Sequence, residues 1–160
     1  MFSGLSPLVI EDVVDEGERI VVRARTPHGT AVCPMCGVQS GRVHGYHLRT
    51  VTDVPVDGRQ VVLHVRVRRL VCPTHGCRQT FREQTPGVLE RYQRRTTRMS
   101  QQVRAVVTEL AGRAGARLLA ALTIGLSRHT ALRTLLRIPL PTARTPRAIG
   151  VDDFAQSWGR

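Results

Sequence analysis

Two short cysteine pairs are the feature that most constrains how this chain can fold. Two residues separate Cys33 from Cys36, four separate Cys72 from Cys77, and 35 residues lie between the pairs. Short turns of this kind aim two sulfur atoms at one point, and two such turns supply the four ligands of a tetrahedral Zn2+ site. We therefore predict one structural Zn2+ per chain, held as in a zinc ribbon by these four thiolates with no open coordination position.

Two alternatives to this ligand set stay open at the level of sequence. The four-residue spacing of the second pair is loose, so His75 could replace Cys72 or Cys77 as a ligand. The thiols could also form two disulfides. The N-terminus has no basic segment followed by an apolar one, and the longest apolar stretch, 118–126, is too short to span a membrane. We therefore expect reduced thiols, a cytoplasmic location associated with the nucleoid, and no membrane partner.

The charge of the chain is strongly positive and unevenly distributed. All 24 basic residues are arginine, against 12 acids, which gives a net charge of +12. Five of the acids lie in the first 18 residues, so the rest of the chain carries 24 arginines against 7 acids. This imbalance favours a polyanionic partner rather than a small-molecule substrate. The apolar fraction of 41% excludes a disordered chain.

Hydropathy patterns divide the chain into an α+β arrangement. We predict a β-rich zinc-binding domain over 1–84, followed by a basic linker over 85–97, and an all-α helix-turn-helix domain over 98–138. A proline-rich linker over 139–147 and the start of a new strand over 148–160 follow. The clearest strand has Val61, Leu63, Val65 and Val67 on one face, while Arg66 and Arg68 lie on the other and could contact phosphates.

The helical part carries a candidate DNA-reading helix. Ser127 is a suitable N-cap for a helix over 128–138. At 100° per residue, one face of this helix is apolar and the opposite face is basic and polar, as expected for a helix that enters the major groove. Arg128 and His129 lie at its start, where the helix dipole also favours phosphate. The residues of the polar face are Thr130, Arg133, Thr134 and Arg137. An ordinary amphipathic helix with a solvated arginine face remains the alternative.

These segments, in this order, resemble the N-terminal part of ISL-three family transposases of bacterial insertion sequences. The motifs that carry the resemblance are Cys33-Pro-Met-Cys-Gly, Arg42-Val-His-Gly-Tyr-His-Leu-Arg, Asp53-Val-Pro-Val-Asp-Gly-Arg, Arg68-Arg-x-x-Cys and Cys77-x-x-x-Phe-x-Glu. The segment beginning at Leu126, Leu-Ser-Arg-His-Thr-Ala-Leu-Arg, resembles the family's helix-turn-helix. The segment beginning at Ile149, Ile-Gly-Val-Asp-Asp-Phe-Ala, resembles the first strand of its DDE catalytic core.

The resemblance implies recognition of transposon-end DNA, with homodimers on double-stranded DNA. It implies that Asp152 matches the first of three catalytic carboxylates, which together hold two Mg2+ ions in a full-length relative. The second Asp and the Glu that the family carries downstream do not occur in these 160 residues. We therefore expect sequence-specific DNA binding without catalysis by this chain alone. A repurposed transcriptional regulator or transposition repressor, and a non-specific nucleic-acid-binding module, are the alternatives.

Overall fold

The structure is a computed structural model that describes residues 3–139. The sheet region and the helices follow one another along the chain, which confirms the α+β class. The elements are a 3-10 turn (Ser3–Leu5), β1 (Val9–Asp15), β2 (Arg19–Arg25), β3 (Ala31–Val32), β4 (Gln39–Ser40), β5 (Val43–Val56), β6 (Arg59–Val71), β7 (Thr80–Arg82), α1 (Thr97–Ala121) and α2 (Arg128–Leu135). No helix of this part of the chain is long and apolar enough to cross a membrane. The stretch predicted to start a new strand, which includes Asp152, lies outside the described residues.

The main sheet has five strands in the order β1-β2-β6-β5, with β7 also paired to β6. β2 and β6 are parallel, while the other pairs are antiparallel. Because β5 occupies one edge of β6 along its whole length, β7 takes the other edge beyond the point where β2 ends. A separate two-stranded sheet, β3-β4, carries the first cysteine pair.

The β5-β6 hairpin is the longest feature of the fold. Its turn is Asp57-Gly58, and both residues have positive φ values, 54° and 68°, as a two-residue hairpin turn that matches strand twist requires. The predicted alternation of β6 is confirmed, since Val61, Leu63 and Val65 are buried. β5 begins at Val43.

The segment over 85–97, expected as a basic linker, packs against the sheet in part. Val88 and Leu89 are buried in the main apolar core, together with residues of β2 and β6. The backbone N–H of Thr52 on β5 donates to Arg94 O (2.9 Å), and the N–H of Thr96 donates back to Thr52 O (3.0 Å). Because β5 is an edge strand with unpaired backbone groups, this segment completes its hydrogen bonding.

α1 is a helix with one break. Ala111, which directly precedes Gly112, has non-helical backbone angles (φ 53°, ψ −152°). The helix ends at Leu122 with a Schellman arrangement, in which Ile124 N–H donates to Leu119 O (2.8 Å) and Thr123 N–H donates to Ala120 O (3.0 Å). The buried residues of its second half are Gly112, Gly115 and Leu119.

α2 packs against α1 through a shared apolar cluster. Ser127 caps it as predicted, because its hydroxyl accepts from the N–H of Thr130. The regular helix ends at Leu135, three residues earlier than the sequence predicts. Of the predicted apolar face, Ala131 is buried whereas Leu136 is 85% exposed. The two helices therefore contact each other, but an independent all-α domain is not clearly shown.

The helices are also joined to the turn end of the hairpin. The carboxylate of Asp53, fully buried on β5, accepts from the guanidinium of Arg98 and from the hydroxyl of Thr96 (2.6 Å). Thr96 is at the same time the N-cap of α1. The hydroxyl of Thr123 donates to Gly58 O in the hairpin turn (2.9 Å). Both ends of α1 are thus hydrogen-bonded to the sheet.

Candidate metal centre and basic cleft

The four cysteines lie together at the open end of the β5-β6 hairpin. Their sulfur atoms are all within 4.8 Å of one another. Cys33 Sγ lies 3.9 Å from Cys77 Sγ, and Cys36 Sγ lies 3.4 Å from Cys72 Sγ. Sulfur atoms at about 2.3 Å from a tetrahedral Zn2+ are roughly 3.8 Å apart, so the four thiols fit the ion. No disulfide joins them in the described part of the chain.

Two tight turns position these thiols. In the first, Gly37 N–H donates to Cys33 O (2.9 Å), and the φ of 75° at Gly37 is one that glycine adopts without strain. In the second, Cys77 N–H donates to Thr74 O (3.1 Å). Each pair follows a strand, β3 and β6 respectively. His75 is exposed and is not part of the sulfur cluster, so the site is a four-cysteine one.

The local electrostatics of the thiols suit a cation. The backbone N–H of Val38 and the neighbouring Cys72 thiol lower the pKa of Cys36. At Cys77 a backbone hydrogen bond from Gln79 lowers the pKa, but burial and the adjacent thiols outweigh it and raise the pKa to about 11. The pKa values of these two thiols are therefore shifted in opposite directions. A divalent cation bound by all four sulfur atoms would stabilise them as thiolates.

A second feature is a cleft between α2, the first turns of α1 and the loop over 90–95. Its volume is about 540 Å3. The predicted polar face of α2 lines it: Thr130, Arg133, Thr134 and Arg137. Opposite are side chains from the loop and from α1, namely Glu90, Tyr92, Gln93, Arg94, Arg95, Thr97, Ser100 and Arg104.

The other residues predicted to contact DNA lie outside this cleft. Arg128 and His129 are exposed at the start of α2, next to each other. Arg66 is on β6, where it pairs with Glu11 (2.9 Å) and lies over the ring of Tyr46 (5.3 Å to the centroid). The structure thus separates the predicted set into a cleft-lining group and a group on other surfaces.

Arg68 does not fit its predicted role as a phosphate contact. Its side chain is 7% exposed and forms two hydrogen bonds to the carboxylate of Glu83 (2.5 and 3.0 Å) and one to Gly29 O (2.9 Å). The hydrogen bonds to Glu83 raise the pKa of Arg68. Since this guanidinium is buried and its donors are occupied, it holds β6 to the segments on either side of the metal centre.

Sequence reasoning missed Arg104 of the cleft, which is on α1. For Arg94 and Arg95 the sequence offers two interpretations, base stacking on Tyr92 among arginines and a solvated linker, and it favours the linker, whereas the structure places both arginines in the cleft. The available signal was the spacing of Thr97, Ser100 and Arg104, at i, i+3 and i+7, which defines a polar face on α1. This face of α1 lies across the cleft from the polar face of α2. The periodicity of a single helix does not show that two helix faces lie opposite each other.

Comparison with known proteins finds relatives of the zinc-binding part of the chain. Residues 29–77 match the family described as the zinc-finger of transposase IS204/IS1001/IS1096/IS1165. The chain is also similar to the transposase for insertion sequence element IS1001 of Bordetella parapertussis, with 34% identity over 87 residues. That alignment covers 54% of this chain and 21% of the relative, so the chain spans about a fifth of the relative's length. No solved structure matches the chain. The resemblance recognised from the sequence is confirmed over the cysteine-containing segment.

Proposed function

We propose that this chain binds double-stranded DNA at the ends of an insertion sequence, because residues 29–77 match the zinc-finger family of such transposases. The observation that carries the proposal is the arginine-rich surface of the helical part. Five arginines line the cleft together with one acidic residue, Glu90, and Arg128 is exposed at the start of α2. Clustered arginines bind phosphates by bidentate hydrogen bonds as well as by charge, and they supply the sequence-independent part of DNA affinity.

In this proposal the metal centre is structural. Zn2+ bound by Cys33, Cys36, Cys72 and Cys77 leaves no ligand position for water or substrate. Its contribution is to join the β3-β4 segment to the end of the hairpin, which positions the edge of the sheet. The helices, docked at the other end of the same hairpin, supply the DNA-binding surface. Arg128 and His129 extend that surface along the outside of α2.

We propose DNA binding rather than strand cleavage as the activity of these 160 residues. The resemblance assigns them one of the three carboxylates that hold the catalytic Mg2+ pair, Asp152, and one carboxylate does not hold two ions. A plasmid-nicking assay with the zinc-loaded protein and Mg2+ tests this, and the expected result is no nicked product. Mg2+-dependent nicking that copurifies with the protein would contradict it.

Selection from a random duplex library tests the proposal, with zinc present and near-physiological salt. Salt matters because a chain of net charge +12 binds any DNA at low ionic strength. We expect an enriched motif that matches inverted repeats flanking the gene. A motif found at promoters would favour the regulator alternative. Binding that disappears as salt rises, with no enrichment, would contradict sequence-specific recognition and leave a non-specific module.

A further inference from the structure

The polar face of α2 forms one wall of the cleft described above. A helix that reads bases enters a major groove about 12 Å wide and must protrude from its domain. Here Thr130 and Thr134 are half-buried, and the loop over 90–95 stands opposite the helix. The cleft has a volume of about 540 Å3, within the range of sites that hold small molecules. The shape therefore suits a single strand better than a duplex.

The arginines of the cleft are not paired with acidic side chains in the described part of the chain, and Glu90 is the one acidic residue in its lining. None of its five arginines forms an ion pair with another residue of 3–139. Arg95 is half-buried, and burial lowers its pKa, since a desolvated guanidinium without an anion is less stable. Phosphates spaced along a strand would supply the missing anions. The five arginines are Arg94, Arg95, Arg104, Arg133 and Arg137.

An exposed aromatic ring stands in the wall of the same cleft. Tyr92 is 78% exposed, and its backbone has a φ of 63°, in the left-handed region that a tyrosine rarely adopts. The guanidinium of Arg91 lies 4.8 Å from the ring centroid. Arrangements of this kind, a basic groove with an accessible aromatic ring, bind unpaired strands by stacking.

The loop that carries Tyr92 is fixed to the sheet. The guanidinium of Arg49 on β5 donates to Glu90 O (3.0 Å) and Gln93 O (2.8 Å), on both sides of the tyrosine. The N–H of Thr52 donates to Arg94 O (2.9 Å). These bonds leave the ring exposed on a segment whose backbone is held at three points, so stacking on it carries a smaller cost in chain entropy.

We infer that this cleft binds an unpaired DNA strand, with its arginines on successive phosphates and a base stacked on Tyr92. The inference rests on the proposed function, because it assumes that the cleft-lining face of α2 contacts DNA. The inference differs from the proposed function in the form of DNA that is bound. A strand released from pairing, as at an opened or frayed duplex end, enters the cleft, and the outer surfaces of the helices contact the duplex.

The experiment compares two probes by fluorescence anisotropy, using the zinc-loaded full chain. One probe is an oligothymidylate of about twelve nucleotides, within the site sizes usual for such grooves, and the other is a duplex of equal length. For Tyr92→Ala we expect a loss of about tenfold in affinity for the single strand and little change for the duplex. Tyr92→Phe keeps the ring and should restore wild-type affinity.

Charge contacts are tested by salt dependence. Each phosphate contact on a single strand contributes about −0.7 to the slope of log K against log salt concentration. Arg104→Ala should therefore reduce the slope by about 0.7. Arg117→Ala is the matched control, since Arg117 is an exposed arginine on the same helix outside the cleft, and it should leave the slope unchanged.

The outcomes separate the two proposals. If neither probe binds, the single-strand inference fails, whereas the proposed function is decided by the library selection. If the duplex binds while oligothymidylate does not, or if Tyr92→Ala weakens both probes equally, the single-strand inference alone is overturned. An Arg104→Ala slope equal to that of Arg117→Ala would also overturn it, because Arg104 would then lie outside the path of the strand.

Discussion

The two ends of the β5-β6 hairpin are stabilised in different ways. At the open end the buried apolar cluster is small: Cys33, Leu70, Cys72 and Phe81. At the turn end, the helices bury six residues, with five further partly buried side chains packed against them, and add the Asp53–Arg98 ion pair. A cluster of four residues buries too little apolar surface to be stable alone. Each end has a buried ion pair, Arg68–Glu83 at the open end and Asp53–Arg98 at the turn end. The comparison therefore teaches that the ends differ in apolar packing, which is extensive at the turn end and which a bound metal would replace at the open end.

Removing the metal should have the largest effect on stability, and this effect should be confined to the open end of the hairpin. We expect Cys36→Ser, or a chelator, to unfold the segments around the cysteines, because structural Zn2+ contributes roughly 10–16 kcal/mol of apparent binding free energy in small zinc domains. Hydrogen exchange should show protection lost over 29–42 and 72–82 and retained over 97–135. Bound zinc, measured by atomic absorption, should remain at one per chain in His75→Ala. A Cys36→Ser protein that stays folded with chelator present would contradict the metal site.

Breaking the buried ion pair should destabilise the other end. Asp53→Asn removes the charge that Arg98 faces, and we expect a loss of about 2–4 kcal/mol in the free energy of unfolding, less than for a fully buried pair because Arg98 is partly exposed. Urea denaturation measures it. Asp57→Asn is the matched control, since Asp57 is exposed and lies 3.5 Å from Arg59; its effect should stay within about 0.5 kcal/mol. Equal losses in both variants would show that the helices do not depend on this pair.

The contact between α1 and α2 should be sensitive to one added methyl group. A Cβ at Gly112 would lie 2.8 Å from Cγ and Cδ2 of Leu132. We expect Gly112→Ala to cost about 1–2 kcal/mol, since overpacking outweighs the gain in helix propensity. Gly125→Ala, where a Cβ meets nothing within 4 Å, should be nearly neutral in the same thermal unfolding measurement. A stabilised Gly112→Ala would mean that α2 packs elsewhere.

An exposed carboxylate near the turn end should show the smallest effect. The pKa of Asp15 is lowered by the backbone N–H of Gly17 and then by Arg59. Because its folded pKa lies below the unfolded value, its stabilisation is present above about pH 4 and is lost as the pH falls through the folded pKa. The difference in urea midpoint between wild type and Asp15→Asn should thus be small at neutral pH and should shrink as the pH falls below about 4. A difference in urea midpoint that grows on acidification would contradict the lowered pKa of Asp15.

The same comparison separates what the sequence predicts from what it does not. The cysteine spacing, the Asp57-Gly58 turn and the Ser127 cap are local patterns, and each is confirmed. The second half of α1 is different. The sequence predicts a separate short helix after Gly112 and Gly115 with Leu118 and Leu122 on its apolar face, yet both are exposed and Leu119 is buried. The break is found next to Gly112, at Ala111, but spacing within one short segment does not show which of its leucines faces the rest of the fold.

The cleft and the role of Arg68 could not be predicted for a related reason. Both depend on residues far apart in sequence, such as Glu83 for Arg68 and the loop over 90–95 for α2. Alternation on a strand says which residues share a face, but not whether another segment covers that face. Arg68 is covered and Arg66 is not, although both have the same place in the pattern.

The parallel pairing of β2 with β6 has a consequence for the order of folding. These strands are joined by 26–58, which contains the first cysteine pair and the whole of β5. Pairing them requires closure of a long loop, which is entropically costly and slow, whereas the β5-β6 hairpin closes through a two-residue turn. We expect the hairpin to form first and the thiols to capture the ion next. The shortened loop then brings β2 alongside β6, so the rate of refolding should depend on zinc concentration.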